Sequence, residues 1–240
     1  MIKNLIKQLL CFLHLDISKN LKYDRLTKKL ILENLSSDSN CIDVGAHRGE
    51  ILNLIVKRSP LGHHYAFEPI PKLYEELKLT YGNSANILPY ALSTTDSNAE
   101  FNIVLNDLAY SGLKKRKYAI SDPHIEKITV QVRSLDELLD DHYCIQFMKI
   151  DVEGGEYDVL KGAEKLLKRS KAIVIFEFGI GASDFYGTSP DAMYEFLNTT
   201  LGYSLFTLSE FHRNKIPLSK KEFQQYYFSN EEYYFVAQSS

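Results

Sequence analysis

Short apolar runs alternate with amphipathic stretches from Asn40 onward, and that rhythm leaves few folds open. Runs at residues 40–44, 65–67, 87–92, 145–150 and 172–178 read as buried strands. Between them stand helical stripes: Ile51, Leu52, Ile55 and Val56, then Leu73, Leu77 and Tyr81, then Val159, Leu160, Ala163, Leu166 and Leu167. Ser189-Pro190 places a cap before a proline in the first turn of a helix over 190–201. Strands alternating with helices predict an α/β domain whose mostly parallel sheet is covered on both faces. Two last strands, 203–208 and 233–237, break the rhythm. The long excursion between them, with a helix over 220–228, suits antiparallel neighbours.

A polar insert separates the third strand from the fourth. In it, residues 101–105 and 128–132 alternate at period two around Lys114-Lys115-Arg116-Lys117, a charge run that reads as a solvated loop. Ser134 with Glu137 matches a capping box ahead of a short helix near Asp136. Upstream, residues 23–35 read as a helix with Leu26, Leu30 and Ile31 on one face. Residues 1–15 combine a basic start with Leu9-Leu10-Cys11-Phe12-Leu13 and have no small-residue cleavage site. This run is shorter than the ~20 apolar residues that span a bilayer. It reads as an amphipathic helix packed on the domain or on a partner, with peripheral membrane contact as the alternative. The expected organisation is a helical leader over 1–39 and one domain over 40–240.

Composition narrows the partners. Lys+Arg 28 against Asp+Glu 31 gives a net charge of −3, so the electrostatic footprint of duplex nucleic-acid binding is missing. Cys11, Cys41 and Cys144 are odd in number and form no C-x-x-C pattern, which points to a reducing, cytoplasmic compartment. The histidines have no metal-ligand spacing.

Three segments fall at the carboxyl ends of successive strands, where open α/β sheets bind ligands. The first, Asp43-Val-Gly45-Ala46-His47-Arg-Gly49-Glu50, offers glycines for a tight turn and an acid suited to a cationic or amine group. It lacks the G-x-G-x-x-G of dinucleotide sites. The second, Phe67-Glu68-Pro69-Ile70-Pro71, ends the next strand in an acid placed to accept from ribose hydroxyls. The third, Met148-Lys149-Ile150-Asp151-Val152-Glu153-Gly154-Gly155-Glu156, puts Lys149 and Asp151 on one face. Three acids and a lysine are costly to bury without partners, so they belong at a cleft, with Glu177 facing it from the adjacent strand end. Glu156 reads as a cap of the following helix.

These segments, with Ser134-Leu-Asp-Glu-Leu138 and Val159-Leu-Lys-Gly-Ala163, resemble the FkbM-type S-adenosylmethionine-dependent methyltransferases over residues 40–179. Lys149-Ile-Asp-Val-Glu-Gly154 is the specific part, and His47 departs from the asparagine often found in relatives. The resemblance implies a Rossmann-like class I methyltransferase sheet, seven-stranded and mostly parallel with an antiparallel last strand. It implies methyl transfer from S-adenosyl-L-methionine to a hydroxyl of a sugar, glycan, glycolipid or secondary metabolite. Asp43, Gly45, Ala46, His47 and Gly49 would hold the methionine end, with Glu68 and Pro69 at the ribose. Ala91, Ser93 or Asp96 would meet the adenine, and the loop at Ser111-Gly112-Leu113 would cover the cofactor beside Asp151. Association with the inner face of a membrane would suit glycan assembly.

Asp151 is the expected base or acceptor clamp, supported by Lys149, Glu153 and Glu177. A divalent ion held by Asp151 and Glu177, Mg2+ or Mn2+ over zinc, is the alternative source of hydroxyl activation. His212 and Arg213 are candidate acceptor contacts, against an exposed polar loop. Tyr226-Tyr227-Phe228 and Tyr233-Tyr234-Phe235 are candidates to stack on sugar rings, against packing a sheet edge and its helix. Two other functions stay open: a catalytically silent nucleotide-binding scaffold, and an NAD-dependent oxidoreductase on a similar sheet. An RNA ribose methyltransferase is a variant of the first reading that the acidic charge disfavours. The acceptor, the position methylated and the oligomeric state are not legible in the sequence.

Overall fold

The computed structural model describes residues 19–118 and 120–239. The amphipathic reading of residues 1–15, and Cys11 with it, lies outside the described residues. Helix α1 (Lys19–Asn34) buries Tyr23, Leu26, Thr27, Leu30 and Ile31. It docks these on Cys41, Phe147, Ile175 and Val236 at one face of the sheet.

Strands β1 (Cys41–Val44), β2 (His64–Phe67) and β3 (Asn86–Leu88) alternate with α2 (Glu50–Arg58) and α3 (Pro71–Tyr81). Next come β4 (Tyr90–Leu92), β5 (Ser97–Val104), β6 (Ile125–Arg133) and the short α4 (Leu135–Leu138). The alternation resumes with β7 (Phe147–Ile150), α5 (Glu156–Lys161), α6 (Glu164–Ser170) and β8 (Ile173–Glu177). The chain closes with α7 (Pro190–Glu195), β9 (Tyr203–Thr207), α8 (Leu208–Arg213), α9 (Lys220–Ser229) and β10 (Tyr234–Ser239).

The main sheet has seven strands in the order β3-β2-β1-β7-β8-β10-β9. All neighbours are parallel except β10, which runs antiparallel to both β8 and β9. Strands β1, β7 and β8 are almost wholly buried, as central strands covered by helices on both faces must be. The expected seven-stranded, mostly parallel sheet is the one observed.

Four local readings change. The single third strand over 87–92 is two, because Pro89 has no N–H to continue a ladder. β3 stays in the main sheet, while β4 joins the insert in a second sheet, β4-β6-β5. The helical stripe from Val159 to Leu167 is broken at Gly162, where a Cβ would lie 2.1 Å from the Ser93 carbonyl oxygen. The capping box at Ser134 does not form, because its hydroxyl donates to the Gly162 carbonyl at 3.0 Å instead. By contrast Ser189 caps α7 through Ala192 N, and Ser219 with Glu222 forms a complete capping box on α9. Among the described residues no helix is long and apolar enough to cross a membrane.

Candidate functional site

A cleft of about 1640 Å³ opens at the carboxyl ends of β1, β2, β7 and β8. Its floor is set by the turn after β1. Gly45, at φ 75°, lets this turn pass against the end of β7, where a Cβ would lie 1.9 Å from the Asp151 carbonyl oxygen. The amides of Gly45 and Ala46 both donate to the Phe67 carbonyl at 3.0 Å, so the turn is tied to β2 by backbone alone. Asp43, the next-to-last residue of β1, is 1% exposed, and neither of its carboxylate oxygens has a hydrogen bond of ordinary geometry within the protein, the Leu52 amide being near enough only to favour its charge. Burial pushes its pKa up to about 6, against the pull of Lys149. An orphaned, buried carboxylate on a cleft wall is suited to a ligand that brings its own donors.

Glu68 is oriented by two backbone donors: His47 N–H to Oε2 at 2.8 Å and Ile70 N–H to Oε1 at 2.9 Å. Each oxygen keeps a second lone pair for a ligand. Burial pushes Glu68 up to about 7. His47 itself has a positive φ of 49°, which its amide bond to Glu68 helps to hold. Burial lowers the pKa of its imidazole, which lines the cleft together with Ala46 and Pro69.

At the end of β7 the Lys149 ammonium donates to Asp151 Oδ2 at 2.8 Å. Burial works against both charges. Their pairing, with Tyr234 added, holds Asp151 below the usual carboxylate range and Lys149 above its ordinary value. Glu177, one strand over, behaves oppositely: burial, with Asp151 and Glu156 nearby, pushes it up to about 8. Glu156 is buried under the loop, where its Oε1 accepts from Val152 N–H at 3.1 Å and Gly154 N–H at 3.0 Å. It therefore pins the turn that precedes α5 and stands back from the cleft lining. Glu153, at φ 62°, turns toward the insert and pairs with Arg116.

Two contributors, Arg116 and helix α1, escaped the sequence reading, and a third, Tyr234, expected either to stack on a sugar ring or to pack a sheet edge, takes a different role. Arg116 belongs to the run expected to be a solvated loop. It instead lines the cleft, pairs with Glu153 and lies over the Tyr110 ring at 5.2 Å. Tyr234 on β10 donates its hydroxyl to Asp151 Oδ2 at 2.8 Å. Helix α1 supplies a wall of the cleft through Asn20, Tyr23 and Lys28. Only the antiparallel register pairing Tyr234 with Glu177 brings that tyrosine to the cleft.

Other expected contacts stand elsewhere. Gly49, at φ 80°, is required by helix packing, because the Tyr81 and Leu77 side chains lie 2.7 and 2.8 Å from where its Cβ would sit. It does not line the cleft. Ser93 also stands outside, its amide bonded to the Arg133 carbonyl and its own carbonyl against Gly162. Asp96 is spent on Arg133 and the Ser134 amide. Ala91 and Ser111 do line the cleft, and Ser111 Oγ is fixed by accepting from Val104 N–H. His212 turns away onto α1, bonded to the Leu26 carbonyl and Glu33. The two aromatic runs divide: Tyr227 and Phe235 pack around Phe178 and Phe223, while Tyr233 and Tyr234 face the cleft.

Asp151 and Glu177 do not fit as a divalent-ion pair. The ammonium of Lys149 already takes the cationic place beside Asp151. Among the described residues no group of three or more His, Cys, Asp or Glu is arranged to hold a metal.

The buried acids make stability depend on pH. Asp43, Glu68, Glu156 and Glu177 all bind a proton more tightly folded than unfolded. Their stabilisation is full below the ordinary carboxylate range and is lost as pH rises through 6 to 8, whereas Asp151 contributes in the opposite sense. The ligand-free protein is therefore expected to melt several degrees lower at about pH 8.5 than at about pH 5.5. Scanning fluorimetry checks this, and a Tm that rises over that range contradicts it.

Comparison with known proteins gives the family of the chain. The chain is 28% identical over 169 residues to "Methyltransferase sdnD" from Sordaria araneosa, a match covering 56% of this chain and 64% of that protein. It superposes on the crystal structure of methyltransferase FkbM from Methylobacillus flagellatus KT with a TM-score of 0.53 at 14% identity. That match covers 86% of this chain and 45% of the other. The chain thus spans less than two thirds of the length of either. The profile of the methyltransferase FkbM domain matches residues 43–205, which take in Asp43, Glu68, Lys149, Asp151 and Glu177. The chain belongs to the FkbM methyltransferase domain family.

Proposed function

We propose that this protein is an S-adenosylmethionine-dependent O-methyltransferase whose acceptor is a hydroxyl of a sugar, glycan, glycolipid or secondary metabolite. The observation that carries the reading is one cleft with two chemically distinct ends. One end holds the orphaned Asp43 carboxylate and the backbone-oriented Glu68. The other holds the Lys149–Asp151–Tyr234 cluster beside Glu177.

The residues at the first end fit the donor. Asp43 suits the amine of its methionine part, and Glu68 suits two ribose hydroxyls, with Ala46, His47, Pro69, Ala91 and Ser111 around them. When bound, S-adenosylmethionine supplies a methyl group on an electron-poor sulfonium. At the second end, Asp151 would accept a hydrogen bond from the acceptor hydroxyl and take its proton as that oxygen bonds to the methyl carbon, the carbon–sulfur bond breaking to leave S-adenosylhomocysteine. Glu177, protonated near neutral pH because it sits at about 8, does not repel the approaching oxygen. Alignment of reactants supplies about 7–11 kcal/mol of such a barrier, and a general base about 10²–10⁴-fold. Positioning thus outweighs base strength, and a carboxylate of low pKa suffices. Tyr233 in the cleft lining and the Arg116–Tyr110 contact at the same end favour a polar ring system such as a sugar.

Calorimetric titration with S-adenosylhomocysteine and, separately, NAD tests the assignment. S-adenosylhomocysteine alone is expected to bind, and Glu68→Ala to weaken it about 10–100-fold, the size of a lost charge-assisted hydrogen bond. NAD binding would move the assignment to an oxidoreductase. Intact S-adenosylhomocysteine binding without turnover on any sugar or metabolite acceptor would favour a silent scaffold.

A further inference from the structure

We propose that Tyr234 is a positioning residue of this site: its hydroxyl and the Lys149 ammonium hold Asp151 by one carboxylate oxygen, leaving the other for the acceptor hydroxyl. The inference rests on the methyltransferase reading of the cleft. Both donors reach the same atom, Oδ2, and each does so at 2.8 Å. A carboxylate clamped on one oxygen from two directions cannot swing, and its Oδ1 is the oxygen neither donor takes.

The tyrosine half of the clamp is built by parts of the chain outside the matched residues 43–205, which include Lys149. Tyr234 begins β10, whose register sets it opposite Glu177. Its ring stacks on Tyr23 of α1, with centroids 4.9 Å apart and planes 23° from parallel. Tyr23 is fixed in turn, its hydroxyl donating to Glu232 Oε2 at 2.6 Å, while Lys22 holds the other oxygen of that carboxylate at 2.8 Å. Lys22, Tyr23 and Glu232 therefore support the tyrosine that supports Asp151.

Charged and titratable groups surround Asp151 from every side: Lys149 on its own strand end, Asp43 from β1, Glu177 from β8, Arg116 from the insert and Glu156 from α5. His47 also feels its charge. Asp24 on α1 and Glu177 add to the field on Tyr234. Burial first, then the charge of Asp151, drives the pKa of the Tyr234 phenol well above its ordinary value. The phenol thus acts as a donor throughout the working range.

The test is carboxyl carbon-13 NMR on the full chain labelled at aspartate, with Asp151 assigned by the resonance lost in Asp151→Asn. Asp151 in the unaltered protein is expected to titrate below the ordinary ~3.9, and Tyr234→Phe to raise that midpoint by about one pH unit, the effect of one hydrogen bond to a charged group. Phenylalanine keeps the stack on Tyr23, so affinity for S-adenosylhomocysteine should stay within about twofold. An Asp151 midpoint that does not move overturns the proposal. So does an unmoved midpoint with S-adenosylhomocysteine affinity lost, which would assign the hydroxyl to the cofactor pocket. Should Tyr234→Phe fail to fold, 3-fluorotyrosine at position 234 replaces it. Its fluorine shift must then follow the Asp151 titration and lose that inflection in Asp151→Asn. Neither NMR readout needs cofactor or acceptor, so absence of S-adenosylhomocysteine binding would count against the methyltransferase reading and leave the Asp151 midpoint to decide this one.

Discussion

Gly45→Ala is expected to abolish S-adenosylhomocysteine binding and to lower Tm by about 10 °C. Two penalties combine at this position. The φ of 75° is a left-handed conformation, which costs an alanine about 1–2 kcal/mol. The added Cβ would then meet the Asp151 carbonyl oxygen at 1.9 Å and its carbon at 2.9 Å, both backbone atoms that have no rotamer to escape into. Such overpacking adds about 1–3 kcal/mol, and for a chain of this size each kcal/mol moves Tm by about 2–4 °C. Relief requires the turn after β1 to part from the end of β7, and that seam carries the Asp151 N–H to Val44 carbonyl bond at 3.0 Å. Opening it displaces Asp43, the His47 amide that orients Glu68, and Asp151 together. Gly187→Ala is the control. Its φ is 76°, yet nothing lies within 4 Å of its would-be Cβ. It should show the conformational penalty alone and bind S-adenosylhomocysteine normally. If Gly45→Ala retained affinity within about threefold while still folded, the turn would not be the element that organises the cleft.

The contrast between these glycines illustrates what a sequence can reveal. Asp43, Glu68, Lys149, Asp151 and Glu177 were legible because each sits at or beside the end of a short apolar run, and in a parallel sheet such ends converge on one edge. A glycine's neighbour, however, is a tertiary fact. Gly45 faces the backbone of β7, Gly49 faces Leu77 and Tyr81, and Gly162 faces Ser93, yet all three look alike in the chain. Ser93 and Asp96 were misplaced for a related reason. Pro89 ends β3 early and diverts the next strand into the second sheet, so the third strand end belongs to Leu88. Arg116, Tyr23 and the contact of Tyr234 with Asp151 were hidden more deeply. Tyr234 reaches the cleft only through antiparallel pairing across β8, and Arg116 is one of four basic residues that no local pattern separates. Helix α1 showed its apolar stripe, but the surface that stripe covers depends on the finished sheet.

Lys149→Met should carry the largest stability loss of any single charge removal in the cleft, and the loss should grow with pH. Methionine preserves the length of the apolar stem and deletes only the ammonium. Lys149 is 8% exposed, and its charge is felt by Asp151, Asp43 and Glu177 at once. Taking one partner from a buried ion pair typically costs about 3–5 kcal/mol, because the remaining charge stays desolvated and uncompensated. Here the remaining carboxylates can escape that penalty by taking protons. With the ammonium gone, the folded-state pKa of Asp151 must rise from its depressed value to above the unfolded one, as burial already does for Asp43 and Glu177. An acid raised in the folded state stabilises below its unfolded pKa and loses that contribution as pH rises through the folded one. The variant should therefore be only mildly destabilised near pH 5 and strongly so near pH 8, a widening gap that urea unfolding at about those two values would measure. An equal loss at both pH values would mean that Lys149 acts through packing, and that the cleft does not depend on its charge to keep Asp151 ionised.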